Sequence, residues 1–156
     1  MALSTLQLNQ ILTQEPSIRR YFIGTFPSCL VNPKCLPRRR QFCFVTNTEN
    51  HESSGEHWNA FFVRDKTLYF FDSFGRSPSD ETLPHSYRDI LLKFDNVKYL
   101  NKQIQPFDSF TCGYYCVHML LVFSMGLDFS NFMEEYNVLK KQENDFHVLN
   151  VIDSII

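Results

Sequence analysis

The chain has 156 residues, 44% hydrophobic and 15% aromatic, which is ample to bury a core and too apolar for a disordered segment. Its 15 basic and 17 acidic residues leave a formal charge of -2, so the whole-molecule balance points to neither a nucleic-acid binder nor an acidic tail, and any electrostatic function is local. No apolar run approaches the about 18 residues of a membrane span, and the start "MALSTLQLNQILTQEP" lacks the pattern of a secretory signal, so a soluble intracellular protein is expected.

Taken in chain order, Ser4 with Gln7 three residues later forms a capping-box pattern, and Leu8, Ile11 and Leu12 continue it as a short amphipathic helix that Pro16 closes. Pro27, Pro33 and Pro37, followed by Arg38-Arg39-Arg40, read as an irregular loop from 27 to 40. Three aromatic and β-branched stretches then predict neighbouring strands, "QFCFVTN" (41–47), "HWNAFFV" (57–63) and "TLYFFD" (67–72), with "ENHESSGE" and "RDK" as the turns between them. "HSYRDILLKF" (85–94) has helical spacing after Pro84, and "VKYLNKQ" (97–103) predicts a fourth strand. Cys112 to Met125 is a strongly apolar helix that stops at Gly126, and two or three helical segments follow Asp128. With no repeat and no second unit, residues 1–156 are expected to form one α+β domain with the sheet in the middle of the sequence.

The five cysteines, Cys29, Cys35, Cys43, Cys112 and Cys116, are an odd number without a regular frame, which suits reduced thiols. No CxxC pair or zinc-spaced His/Cys quartet occurs, so no metal is expected. Cys112 stands where the polar loop "QPFDSF" meets the apolar helix, and a helix N-terminus favours thiolate over thiol. Cys116, one turn deeper on the same face, reads as a buried small hydrophobe. His57 opens one predicted strand and Asp72 closes the next, so an antiparallel hairpin puts them at one end of the sheet, as a base and the group that orients it. Gln105, seven residues before Cys112, is placed to join the Cys112 backbone N–H as an oxyanion donor. Each residue alone also fits a structural role: a core cysteine, a packed histidine, a capping aspartate.

Together, "GEHWNAFFV", "LYFFDSFG" and "QPFDSFTCGYYCVHML" resemble, in that order, the His-Trp, acidic, Gln and Cys-Gly blocks of the adenain-like cysteine proteases, the adenovirus-type endopeptidases with Polinton and adintovirus relatives. "YFIGTFPS" and "FVTNTENHESSGEHW" extend the likeness upstream. The resemblance implies a papain-like cysteine protease fold in permuted order, a central mixed β-sheet flanked by helices. It implies catalytic roles for His57, Asp72, Gln105 and Cys112, and substrate-binding roles for Trp58 and Gly113 in a narrow groove that suits cleavage after glycine. Trp58 also reads as a core anchor, and Asn59 and Asp108 as residues that stabilise their loops. The implied function is maturation of viral or mobile-element capsid and core precursors by a monomer, in the virion or host nucleus. No cofactor is required for the chemistry, and an activating peptide or DNA is the candidate effector. A deSUMOylase, a deubiquitinase and an inactive binding module of the same fold are the alternatives.

The sequence departs from the adenovirus pattern in three ways. Asp72 stands where those enzymes have glutamate, as in the more distant ubiquitin-like-protein proteases. Residues 73–104 contain no cysteine, so activation through a disulfide-linked viral peptide does not carry over. With 44 residues after Cys112, C-terminal elements are expected to be reduced. Arg38, Arg39 and Arg40, with Lys34 nearby and Arg19-Arg20 upstream, are the candidate DNA phosphate contacts, the alternative being a solvated loop.

Overall fold

The computed structural model describes residues 2–48 and 57–156. Helix α1 (Thr5–Gln14) begins at the expected capping box, with Ser4 Oγ accepting from the Gln7 N–H at 3.2 Å and Gln7 Oε1 accepting from the Ser4 N–H at 2.9 Å. It buries Leu8, Ile11 and Leu12. Pro16 does more than close this helix: it is the first residue of α2 (Pro16–Arg19), where its missing N–H would have had no partner.

Strand β1 (Phe22–Pro27) follows, an element the sequence reading did not anticipate. The proline-rich loop contains two short 3-10 turns, Ser28–Leu30 and Pro33–Cys35. The expected meander is β2 (Gln41–Asn47), β3 (Trp58–Arg64) and β4 (Thr67–Phe71), paired antiparallel. The "ENHESSGE" turn, 49–56, lies outside the described residues. Helix α3 (Ser86–Leu91) and strand β5 (Asn96–Tyr99) are both shorter than expected, and β5 runs parallel to β4. Helix α4 (Cys112–Ser124) ends before Gly126, whose φ of +85° reverses the chain without the cost a side chain would carry. Helices α5 (Phe129–Met133) and α6 (Lys141–Asp153) complete the fold.

The sheet has the order β1-β2-β3-β4-β5, parallel at both edges and antiparallel in the centre. This is the expected mixed sheet of an α+β protein. Because side chains alternate across a strand, Phe42, Phe44, Phe61, Val63, Leu68 and Phe70 face Tyr87 and Ile90 of α3. Cys43, Val45, Ala60, Phe62 and Phe71 point the other way, into a core shared with α1 and α4–α6. Helix α4 lies against β3 with α1, α2, α5 and α6 around it. That explains its apolar composition on every side: it is the central helix, and its N-terminal residue arrives beside the end of β3.

Candidate active site

The sheet register assembles the site. Thr48 donates its N–H to the His57 carbonyl at 2.9 Å, extending the β2–β3 ladder to the residue before β3. On the other side Ala60 pairs with Phe71, so Asn59 comes opposite Asp72 one step further, and His57 follows. His57 Nε2 is hydrogen-bonded to Asp72 Oδ1. The His57 ring also bonds the side chain of Cys112, the first residue of α4. With Nε2 on Asp72, Nδ1 is the nitrogen that serves Cys112. Asp72 is fully buried, Cys112 is 2% exposed and His57 8%.

The electrostatics favour an imidazolium. Burial alone lowers the His57 pKa, but hydrogen bonds to Asp72 and Cys112, with the charges of both, outweigh it and lift the ring from 6.5 to about 9. For Asp72, burial works to raise the pKa, yet hydrogen bonds from His57 and Arg76 and their positive charges hold the carboxyl below its ordinary range. Cys116 differs: burial pushes its thiol well above the ordinary value, the charges of Cys112 and Asp72 add to that, and its Sγ donates to the Trp58 carbonyl at 3.4 Å. It is the buried hydrophobe the spacing predicts.

Three further residues were not read as site residues from the sequence. Arg76 donates Nε to Asp72 Oδ2 at 2.6 Å, its backbone N–H to the same oxygen at 3.2 Å, and an Nη2 hydrogen to Oδ1 at 3.5 Å. The turn "DSFGR" makes this closure: the Gly75 N–H donates to the Asp72 carbonyl at 2.8 Å and Gly75 sits at φ +80°. A Cβ there would lie 2.7 Å from the Lys102 carbonyl carbon, so only glycine fits. Phe74 stacks on His57, ring centroids 4.7 Å apart and planes 12° from parallel. Asn59 is buried and donates Nδ2 to Asp72 Oδ1 and to the Phe71 carbonyl, both at 3.3 Å, while its Oδ1 accepts from the Tyr87 hydroxyl at 2.9 Å. It holds the acidic residue as well as its strand, whereas Asp108 lies exposed in the loop.

Gln105 is buried, with Oε1 accepting from Ser73 Oγ and Nε2 donating to the Ser109 carbonyl at 3.0 Å. An amide nitrogen carries two hydrogens, so Ser109 uses one. Trp58 is 4% exposed and its indole N–H donates to the Leu3 carbonyl at 3.0 Å. Gly113 is buried beside it, and a Cβ there would come within 3.2 Å of Leu3 Cβ and 3.3 Å of Trp58 Cδ1. Both therefore lie beneath the N-terminal segment. Arg40 pairs with Asp65 at 2.8 Å, away from the site. Arg38 and Arg39 line a separate concavity of about 420 Å³ together with Lys34 and Lys93. Among the described residues no group of three His, Cys, Asp or Glu side chains is placed to hold a metal ion, and no helix is long and apolar enough to cross a membrane.

No family model matches the chain. It is similar to the curated protease of bovine adenovirus 2, 32% identical over 125 residues, which is 72% of this chain and 59% of that protein. To the protease of human adenovirus B serotype 3 it is 34% identical over 66% of this chain and 54% of the relative. To that of human adenovirus A serotype 12 it is 35% identical over 67% and 56%. The chain thus spans somewhat more than half the length of these relatives. Among solved structures, the ASFV pS273R protease aligns with a TM-score of 0.41 at 23% identity, over 60% of this chain and 38% of that one.

Proposed function

We propose that this chain, a relative of the adenovirus proteases, is a cysteine endopeptidase that cleaves viral or mobile-element precursor proteins at glycine-containing sites. The observation that carries the reading is the His57 ring, bonded at once to Asp72 and to Cys112 at the start of a helix. One carboxylate and one thiol on the same imidazole are what an ion-pair nucleophile requires.

In this mechanism the Cys112 thiolate attacks the scissile carbonyl carbon and a thioester forms as the C–N bond breaks. His57, charged at neutral pH, gives its proton to the leaving amine, and Asp72 holds the ring and stabilises its charge. The second Gln105 amide hydrogen and the Cys112 backbone N–H, at a helix start where N–H groups point outward, take the oxyanion. The bonds from Ser73 and to Ser109 fix the Gln105 amide, so its donor is oriented before substrate arrives. Water, deprotonated by His57, then hydrolyses the thioester, which releases the product acid and returns the Cys112 thiolate beside the His57 imidazolium.

Precursor polypeptides as substrates, and action in the virion or infected cell, are part of this proposal, and the likeness to adenovirus proteases supports them. The test is cleavage of Gly-x-Gly peptides and of a ubiquitin-like precursor by the wild type and by Cys112→Ala. Cleavage of the peptides that disappears in the variant supports the proposal. Cleavage of the ubiquitin-like precursor alone transfers it to the branch that shares Asp72, and no cleavage of either rejects it. DNA is proposed as an effector that contacts Arg38 and Arg39, since these exposed side chains share a basic concavity with Lys34 and Lys93. Unchanged duplex-DNA binding after Arg38, Arg39 and Arg40 all become alanine would reject that contact.

A further inference from the structure

The cysteine-peptidase reading leaves a charge to be explained. Cys112 thiolate, His57 imidazolium and Asp72 carboxylate sum to one negative charge, and all three side chains are almost fully buried. An unbalanced buried charge is costly unless a partner lies beside it. Arg76 is that partner, on the side of Asp72 away from His57: its Nε and backbone N–H both reach Oδ2, the carboxylate oxygen that His57 does not use.

We propose that Arg76 is a positioning residue of the peptidase, one that locks the Asp72 carboxylate with Oδ1 toward His57 and supplies the positive charge that balances the buried Cys112–His57–Asp72 set. The proposal rests on the cysteine-peptidase reading and adds a fourth member to it.

Three observations support it. A carboxylate held through both oxygens by a guanidinium cannot rotate away from its other partner. The guanidinium also lies over the Phe74 ring, 5.8 Å from its centroid, and Phe74 in turn stacks on His57, so Arg76 bears on the imidazole along a second route. Finally, Arg76 is itself held: its Nη1 donates to Thr82 Oγ1 at 3.3 Å, and that hydroxyl donates to Asp80. The ionisable groups around Asp72 are His57 before β3, Cys112 and Cys116 on α4, Tyr87 on α3, Arg76, and Asp80 behind Thr82. Arg76 is the cation of that set other than His57.

Taking a cation away favours the protonated form of every neighbour, which gives a signature that loss of a merely structural contact lacks. In Arg76→Gln, the NMR titration midpoint of His57 moves up by about half a pH unit or more, and the pH profile of Cys112 alkylation by iodoacetamide moves to higher pH with it. Arg76→Lys keeps the charge and loses the paired geometry. Its His57 midpoint stays at the wild-type value while Gly-x-Gly peptide turnover drops, because kcat depends on the orientation of Asp72. A His57 midpoint and labelling profile in Arg76→Gln that match the wild type overturn the proposal. So does an Arg76→Lys midpoint displaced as far as that of Arg76→Gln, and this comparison stands even if Arg76→Gln melts early. If the shift appears but no peptide is cut by the wild type, the peptidase reading fails while the charge-balancing role of Arg76 stands.

Discussion

Replacing Asp72 with asparagine keeps the shape of the side chain and removes its charge, which isolates what the carboxylate does for His57. The interval from 6.5 to about 9, at about 1.4 kcal/mol per pH unit, corresponds to roughly 3 kcal/mol in favour of imidazolium over imidazole. Burial opposes this preference and Cys112 shares in it, so about 3 kcal/mol is the net preference, and it sets the scale of what Asp72 supplies. Assigned NMR titration of the histidine rings is the direct assay: the His57 midpoint falls from about 9 in the wild type to below about 7 in Asp72→Asn, since burial then acts with only Cys112 against it. The same linkage fixes a stability profile. His57 binds its proton more tightly when folded, so its contribution is complete below about pH 6.5 and is lost as pH rises through about 9. Asp72 is held below its ordinary 3.8, so its share is present above that value and lost as pH falls through the lower folded one. The wild type should therefore exceed Asp72→Asn in melting temperature by most between about pH 4.5 and 6.5, by up to roughly 10 °C, with a smaller gap at about pH 9.5. A His57 midpoint that does not move in the variant, or a gap that widens toward alkaline pH, would refute the reasoning.

Gly75→Ala should destabilise the chain by at least about 2 kcal/mol in urea unfolding, because φ is +80° and the new Cβ would lie 2.7 Å from backbone at Lys102. The same variant should raise the His57 midpoint if the turn no longer returns Arg76 to Asp72. Trp58→Ala empties a buried site bonded to Leu3 and should cost about 3–5 kcal/mol, seen as a fall in melting temperature of roughly 10 °C or more. Trp58→Phe keeps most of the packing and, by losing the bond to the Leu3 carbonyl, should cost about 1 kcal/mol.

What could be read from the sequence depended on whether the determining contacts were local. Strands β2–β4 were legible because aromatic and β-branched runs alternate between two buried faces, and the register that follows brings His57 and Asp72 together. The start of α4 was legible because a polar loop gives way abruptly to an apolar helix at Cys112. Strand β1 was not, since "FIGTFP" is only partly buried throughout, contains Gly24 and Pro27, and owes its conformation to parallel pairing with β2 rather than to alternation. Arg76 was missed because its reach depends on the positive φ of Gly75. Asn59 was read as a loop-stabilising residue because its chemistry depends on which strand lies opposite. Trp58 admitted two readings in sequence, and its buried indole bonded to Leu3 displays the anchoring one.

The central claim is that His57 activates Cys112, and competitive alkylation tests it most directly. Native chain would be treated with limiting iodoacetamide between pH 5.5 and 9, and each cysteine quantified by peptide mapping in the wild type and in His57→Ala. Cys29 and Cys35 are exposed and serve as comparison thiols within the same molecule. The account predicts that Cys112, though 2% exposed, reacts at least about tenfold faster than either at pH 6, and that His57→Ala abolishes this advantage. Cys112 labelling that is slower than Cys29 and Cys35 at every pH, and indifferent to His57, would contradict it.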